Sequence, residues 1–89
     1  MSRRRSYKEE TLDVQRRFFE AIDELIRQGK LRGVQTYCRL YGIDKRHLYS
    51  QRLDPFKGFF EVAWFLPLLS DFKVSYKWLL FGKGEMLKK

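Results

Sequence analysis

The chain has 89 residues and a formal net charge of +8, so it makes one small domain without room for a separate catalytic domain. Apolar residues make up 44% of the chain and aromatic residues 17%, which predicts a folded core rather than disorder. The one cysteine, Cys38, excludes an internal disulfide and fits a reducing cytosol. No signal peptide is visible, and the longest nearly apolar run, residues 62–69, is too short to cross a bilayer. We therefore expect a soluble, cytoplasmic protein.

We expect residues 1–8, with the arginine run at 3–5, to form a mobile basic arm before a single domain spanning 9–87. The first predicted helix covers 10–28 and ends at Gly29. Its apolar residues recur at helical spacing: Val14, Phe18, Ile22, Leu25 and Ile26.

A second helix is predicted over 33–41, from the spacing of Val34, Tyr37, Cys38 and Tyr41. Gly42 suits the left-handed position that ends such a helix, and Asp44 is a good N-cap for a third helix over 45–53. Leu48 is the inward residue of that third helix, and Pro55 follows its end.

A fourth helix is predicted to begin near Trp64, because this start places Pro67 in the first turn, where proline is tolerated. Ser75 can cap a fifth helix over 76–81 that ends at Gly82, with Val74 and Leu79 as a hydrophobic staple. No stretch alternates between polar and apolar residues as a strand does. The predicted fold is all-α, a compact bundle of about five short helices.

Positive charge is concentrated around the second and third helices. Seven basic residues and one acidic residue, Asp44, lie between positions 27 and 52, which gives this stretch +6 and leaves +2 for the rest of the chain. The basic residues are Arg27, Lys30, Arg32, Arg39, Lys45, Arg46 and Arg52. Such a patch predicts a polyanionic partner, although a solvated basic face remains an alternative.

The two short helices and the turn at Gly42 fit a helix-turn-helix, with Cys38 as the small packing residue of the first helix and Leu48 as the buried anchor of the second. The outward residues of helix 45–53 would then face the major groove of double-stranded DNA. We predict base-reading roles for Lys45, Arg46 and Tyr49. We predict phosphate contacts from Gln35, Thr36, Arg39, Ser50 and Arg52.

The segment "VSYKWLLFGKGEM", residues 74–86, resembles the S-x-x-W-L-L-x-G-x-G-x-M ending of lambda repressor-like DNA-binding domains of phages and bacteria. "RRFFEAIDELI" resembles the first helix of that family, and "YCRLYGIDKRHLYSQRL" falls where the family keeps its DNA-docking helices. The resemblance covers residues 14–86 and implies a five-helix domain that binds operator-like DNA, typically as a homodimer. Three residues depart from the family pattern: Cys38 stands where alanine is usual, Gln51 where an apolar residue is often buried, and Asp44 at the DNA-facing turn.

The leading expectation is therefore a sequence-specific DNA-binding regulator of phage or mobile-element type, associated with the nucleoid. One alternative is a protein-interaction module that uses exposed aromatic residues among Phe56, Phe59, Phe60 and Phe81; another is binding of single-stranded nucleic acid. The chain shows no nucleophile–base set, no phosphate-binding glycine loop and no spacing for a metal site, so we expect no enzyme activity, cofactor or small-molecule substrate.

Overall fold

Five α-helices follow one another in the computed structural model, which describes residues 9–56 and 60–87. They are α1 (Glu9–Arg27), α2 (Val34–Tyr41), α3 (Lys45–Leu53), α4 (Val62–Ser70) and α5 (Tyr76–Phe81). Within the described ranges no strand forms, and an isolated antiparallel bridge joins Val74 to Leu87. The predicted all-α bundle of about five helices is confirmed. The predicted N-terminal arm lies outside the described residues.

The core is built around α1. Phe18, Ile22 and Leu25 are fully buried, as their spacing predicts, whereas Val14 and Ile26 are only half-buried. The buried stripe is wider than predicted, because it also takes in Gln15, Phe19 and Ala21. The physical reason is that α1 is covered from more than one side, by α5 and by the side chain of Arg52 from α3.

Phe18 lies at the centre of an aromatic cluster. Its ring meets those of Phe19, Phe60 and Tyr37 edge to face, with ring centres 5.0, 5.5 and 6.2 Å apart. Edge-to-face contacts of this kind are favourable beyond the apolar area they bury. Phe60, for which the sequence leaves both a core and a surface position open, is half-buried and packs against the core.

The turn between α2 and α3 forms as its residues predict. Gly42 adopts a left-handed conformation with φ 66°, and the backbone N–H groups of Gly42 and Ile43 both donate to the carbonyl of Cys38. Asp44 then caps α3, since its carboxylate accepts a hydrogen bond of 2.9 Å from the backbone N–H of Arg46. Leu48 is buried and anchors α3 on the core.

The predicted position of Pro67 in the first turn of α4 is wrong. The helix begins at Val62, so Pro67 lies in its second turn and has no N–H to offer the carbonyl of Ala63. Ala63 is exposed, so water can reach that carbonyl. Beside this gap the buried hydroxyl of Tyr37 donates to the carbonyl of Trp64 at 2.6 Å. A tertiary hydrogen bond thus supports the helix where proline weakens it.

We expect Tyr37→Phe to lower the free energy of unfolding by about 1–2 kcal/mol, because the buried carbonyl of Trp64 loses its hydroxyl donor. Urea unfolding of the variant measures this loss. Tyr41→Phe is the control, since the Tyr41 hydroxyl bonds the Asp71 carboxylate at an exposed site and should cost less than about 0.5 kcal/mol. Equal losses in the two variants would contradict the expectation.

The dependence of stability on alkaline pH gives a second test of the Tyr37 hydroxyl. Burial raises the pKa of Tyr37 above that of a tyrosine in the unfolded chain, so its contribution is complete below about pH 10 and is lost as the pH rises further. Burial and the Asp71 carboxylate likewise raise the pKa of Tyr41 to about 12. Stability should therefore fall above about pH 10, and Tyr37→Phe should flatten this fall.

The C-terminal helix is fixed at both ends. Ser75 accepts a hydrogen bond from the N–H of Trp78, Leu79 is fully buried, and Gly82 ends α5 with φ 68°. Arg17 of α1 reaches across and donates to the carbonyls of Leu79 at 2.7 Å and Leu80 at 3.1 Å. The predicted cap and terminator are confirmed, and α5 is held against α1.

Candidate nucleic-acid interface

Helix α1 and the stretch that follows it carry net charges of opposite sign. Helix α1 carries six acidic and three basic residues, a net charge of −3. The following stretch, residues 28–53, contains α2 and α3 and carries six basic residues and one acidic residue, a net charge of +5. A polyanion would therefore be attracted to the α2–α3 side and repelled by the charges of α1.

The N-terminus of α2 is open to an anion. Its N-cap residue, Gly33, has extended backbone, and within the described part of the chain no side chain caps this end. As at the start of any helix, the N–H groups of Val34, Gln35 and Thr36 have no partner within the helix, and the first turn carries no acidic residue that would repel an anion. Such a terminus binds phosphate groups through these N–H groups and the helix dipole.

A shallow depression adjoins this end of α2. It measures about 290 Å³ and is lined by Gln35, Cys38, Arg39, Ile43 and Lys45. The structure thus brings together two predicted phosphate-binding residues and one predicted base-reading residue. Thr36 is half-buried beside Gln35. Burial raises the pKa of the Cys38 thiol, with Asp44 adding to the effect, so the thiol stays neutral on the floor of the depression.

The outer face of α3 follows from its two buried residues, Leu48 and Gln51. Since they face the core, Arg46 and Tyr49 face away from it, and both are exposed, as is Lys45 at the start of the helix. All three predicted base-reading residues are therefore accessible. Ser50 is half-buried, and its carbonyl accepts the N–H of Asp54.

Arg52 lies apart from the other predicted phosphate-binding residues. Its guanidinium pairs with the carboxylate of Asp23 on α1 and lies 5.3 Å from the centre of the Phe19 ring. It therefore holds α3 to α1 instead of lining the depression with Arg39 and Lys45. No local pattern predicts this pairing, because the two residues are 29 positions apart in the sequence.

Fewer of the four candidate phenylalanines are exposed than the sequence allowed for. Phe60 is half-buried against the core, Phe56 is also half-buried, and Phe59 lies outside the described residues. Phe81 is 66% exposed. Exposed aliphatic side chains on the basic helices were not predicted: Leu40 on α2 is 60% exposed and Leu53 at the end of α3 is 87% exposed.

Two buried glutamines, Gln15 and Gln51, were also not singled out as a pair. Each lies three residues from a buried apolar residue of its own helix, Phe18 and Leu48, and this spacing is the signal that would have placed both side chains on inward faces. From the sequence, Gln51 is only a departure from the family pattern.

No helix in residues 9–56 and 60–87 has both the length and the apolar character that a bilayer span requires. No known protein family, curated protein or solved structure matches this chain, so its resemblance to lambda repressor-like DNA-binding domains rests on the sequence motifs alone.

Proposed function

We propose that this protein binds double-stranded DNA sequence-specifically, with α2, the turn at residues 42–44 and α3 acting as a helix-turn-helix. The observation that carries the proposal is the uncapped N-terminus of α2 beside the depression lined by Gln35, Arg39 and Lys45. Together with its resemblance to phage-repressor domains, this supports a transcriptional regulator of phage or mobile-element type that acts on DNA in the cytoplasm.

In this proposal the two helices have different tasks. A DNA phosphate binds the N–H groups at the start of α2, with Gln35, Thr36 and Arg39 as further donors, and this contact fixes the register of the protein on the duplex. Helix α3 then enters the major groove. Arg46 is suited to a bidentate contact with guanine, Lys45 to guanine or phosphate, and Tyr49 to a thymine methyl group.

Two of the predicted phosphate contacts carry less weight. Ser50 is half-buried, and Arg52 would have to leave Asp23 to reach a phosphate. The Arg52–Asp23 pair is partly exposed, and such pairs contribute only about 0–1 kcal/mol, but Arg52 would also have to leave the ring of Phe19. A homodimer on a two-fold symmetric operator remains part of the proposal through the family resemblance alone.

The test is fluorescence anisotropy with labelled random-sequence duplex DNA over a series of salt concentrations. We expect Lys45→Ala/Arg46→Ala to weaken binding at least tenfold and to reduce the slope of log K against log salt by about 2, because two charged contacts are lost. Lys77→Ala/Lys83→Ala removes the same charge from exposed positions on and after α5 and is the matched control. It should change affinity by less than about threefold.

Equal losses in both double variants would mean that only net charge attracts the DNA, and would contradict the placement of α3 against the duplex. Preference for single-stranded over duplex oligonucleotides would instead favour single-strand binding. Absence of binding at low salt would contradict the proposal as a whole. The remaining candidate would then be a protein-interaction module, which the exposure of Leu40, Tyr49 and Leu53 on α2 and α3 favours.

A further inference from the structure

A second concave surface lies between α1 and the C-terminal end of α3, and the DNA-binding proposal does not use it. This α1–α3 groove has a volume of about 620 Å³, within the range of small-molecule sites. Its apolar lining comes from Leu12, Phe19, Pro55 and Phe56. The ring of Phe19 lies against the guanidinium of Arg52, so Leu12 and Pro55 supply the open part of this apolar lining.

Two buried amides also line the groove. Gln15 is 2% exposed, and neither its oxygen nor its nitrogen has a hydrogen-bond partner in the described part of the chain. Gln51 is 1% exposed; its nitrogen donates to the carbonyl of Pro55 at 2.8 Å, but its oxygen has no such partner. Buried polar atoms are nearly always paired, so these three atoms indicate a missing partner. Two of the three are acceptors.

The rim of the groove is acidic in a basic protein. Its described charged residues are four acids and two arginines, a net charge of −2 against +8 for the whole chain. Three of the four acids share these two arginines, since Asp13 and Glu20 pair with Arg16 and Asp23 pairs with Arg52, and the rim keeps its net charge of −2. Carboxylates and amide oxygens accept hydrogen bonds, so the groove favours a donor of positive charge.

We propose that the α1–α3 groove binds a small organic cation with a flat apolar body, such as an aromatic amidine, guanidine or amine. On binding, the amides of Gln15 and Gln51 turn toward the groove so that their side-chain oxygens accept from the N–H groups of the cation, and its apolar body lies against Leu12 and Pro55. The acidic rim excludes anions of the same shape. This inference does not depend on DNA binding, because the ligand binds the α1–α3 groove of the protein in the absence of DNA.

Benzamidine is the probe, because it combines a planar ring with a charged group that carries only N–H donors. The experiment is a titration of the full chain followed by ¹H–¹⁵N NMR, including the side-chain amide signals of Gln15 and Gln51. We expect saturable shifts confined to the groove, with a Kd of roughly 1–10 mM for so small a probe. Benzoate has the same ring with a negative charge and should give no saturable shift.

Gln15→Leu is the decisive variant. It keeps the volume of the side chain and removes an unpartnered buried amide, so the protein should remain folded with unchanged or higher thermal stability. Benzamidine binding should weaken by at least roughly tenfold, because an acceptor is lost inside an apolar site. Gln28→Leu makes the same chemical change at an exposed position just after α1 and should leave the Kd unchanged.

Three results would overturn the inference: no saturable shift of the groove signals up to the solubility limit of benzamidine, equal binding of benzoate, or wild-type affinity in a folded Gln15→Leu protein. Shifts spread over α2, α4 and α5 with none at Gln15 or Gln51 would also overturn it, because the probe would then be binding elsewhere.

Discussion

Phe18→Ala is expected to lower the free energy of unfolding by about 3–5 kcal/mol. Phe18 is fully buried and its ring contacts three other aromatic rings, so alanine leaves a cavity at the centre of the core. A domain of this size has a total stability of only about 5–10 kcal/mol. The variant should therefore be partly unfolded at moderate temperature.

Urea and thermal unfolding followed by circular dichroism measure this loss. Phe81→Ala is the matched control, because it makes the same substitution at a side chain that is 66% exposed and should change stability by no more than about 0.5 kcal/mol. A loss below about 1 kcal/mol in Phe18→Ala would contradict the packing described for this cluster.

Arg17→Met is expected to lower the free energy of unfolding by about 2–3 kcal/mol. Its guanidinium donates to the carbonyls of Leu79 and Leu80 near the C-terminus of α5, where the helix dipole also favours positive charge. Hydrogen bonds that involve a charged group contribute about 1.5–3 kcal/mol, and methionine keeps the apolar stem of the side chain without its donors. Helix α5 should therefore lose its attachment before the rest of the fold.

Arg16→Met on the neighbouring position is the control. Arg16 forms exposed ion pairs with Asp13 and Glu20, and such pairs contribute little, so a loss below about 1 kcal/mol is expected. Amide hydrogen exchange adds a local readout, because Arg17→Met should speed exchange in α5 more than in α2 and α3. Uniform acceleration across all helices would argue against a specific role of Arg17 in holding α5.

Local sequence signals predicted most of the fold. Gly42 and Gly82 end their helices in left-handed conformations, Asp44 and Ser75 cap the helices that follow them, and Leu48 anchors α3. Each of these features depends on one residue and its near neighbours, so a single sequence can reveal it. The start of α4 was predicted wrongly for the same reason. Proline is locally disfavoured in a second turn, and it is the buried hydroxyl of Tyr37, distant in sequence, that donates to this part of the helix.

The candidate site likewise has features that the sequence predicts and features that depend on tertiary packing. The basic character of residues 28–53 and the exposed positions of Lys45, Arg46 and Tyr49 follow from composition and helical periodicity. The pairing of Arg52 with Asp23 could not be predicted, since an ion pair between different helices depends on how those helices pack. The same packing turned two polar residues of separate helices, Gln15 and Gln51, into the buried lining of one groove.

The extents of α1, α2, α3 and α5 and the sign of charge along the chain could be predicted from the sequence, because these properties depend on residues within one or two helical turns, whereas the start of α4 could not. The contacts between helices follow from tertiary packing instead: Arg17 binds α5, Arg52 binds α1 and Tyr37 binds α4, and the same packing places both glutamines in the lining of the α1–α3 groove. The three contacts join residues 27 to 63 positions apart, so they depend on how the whole domain packs to bury apolar area and to pair polar groups that are distant in the sequence.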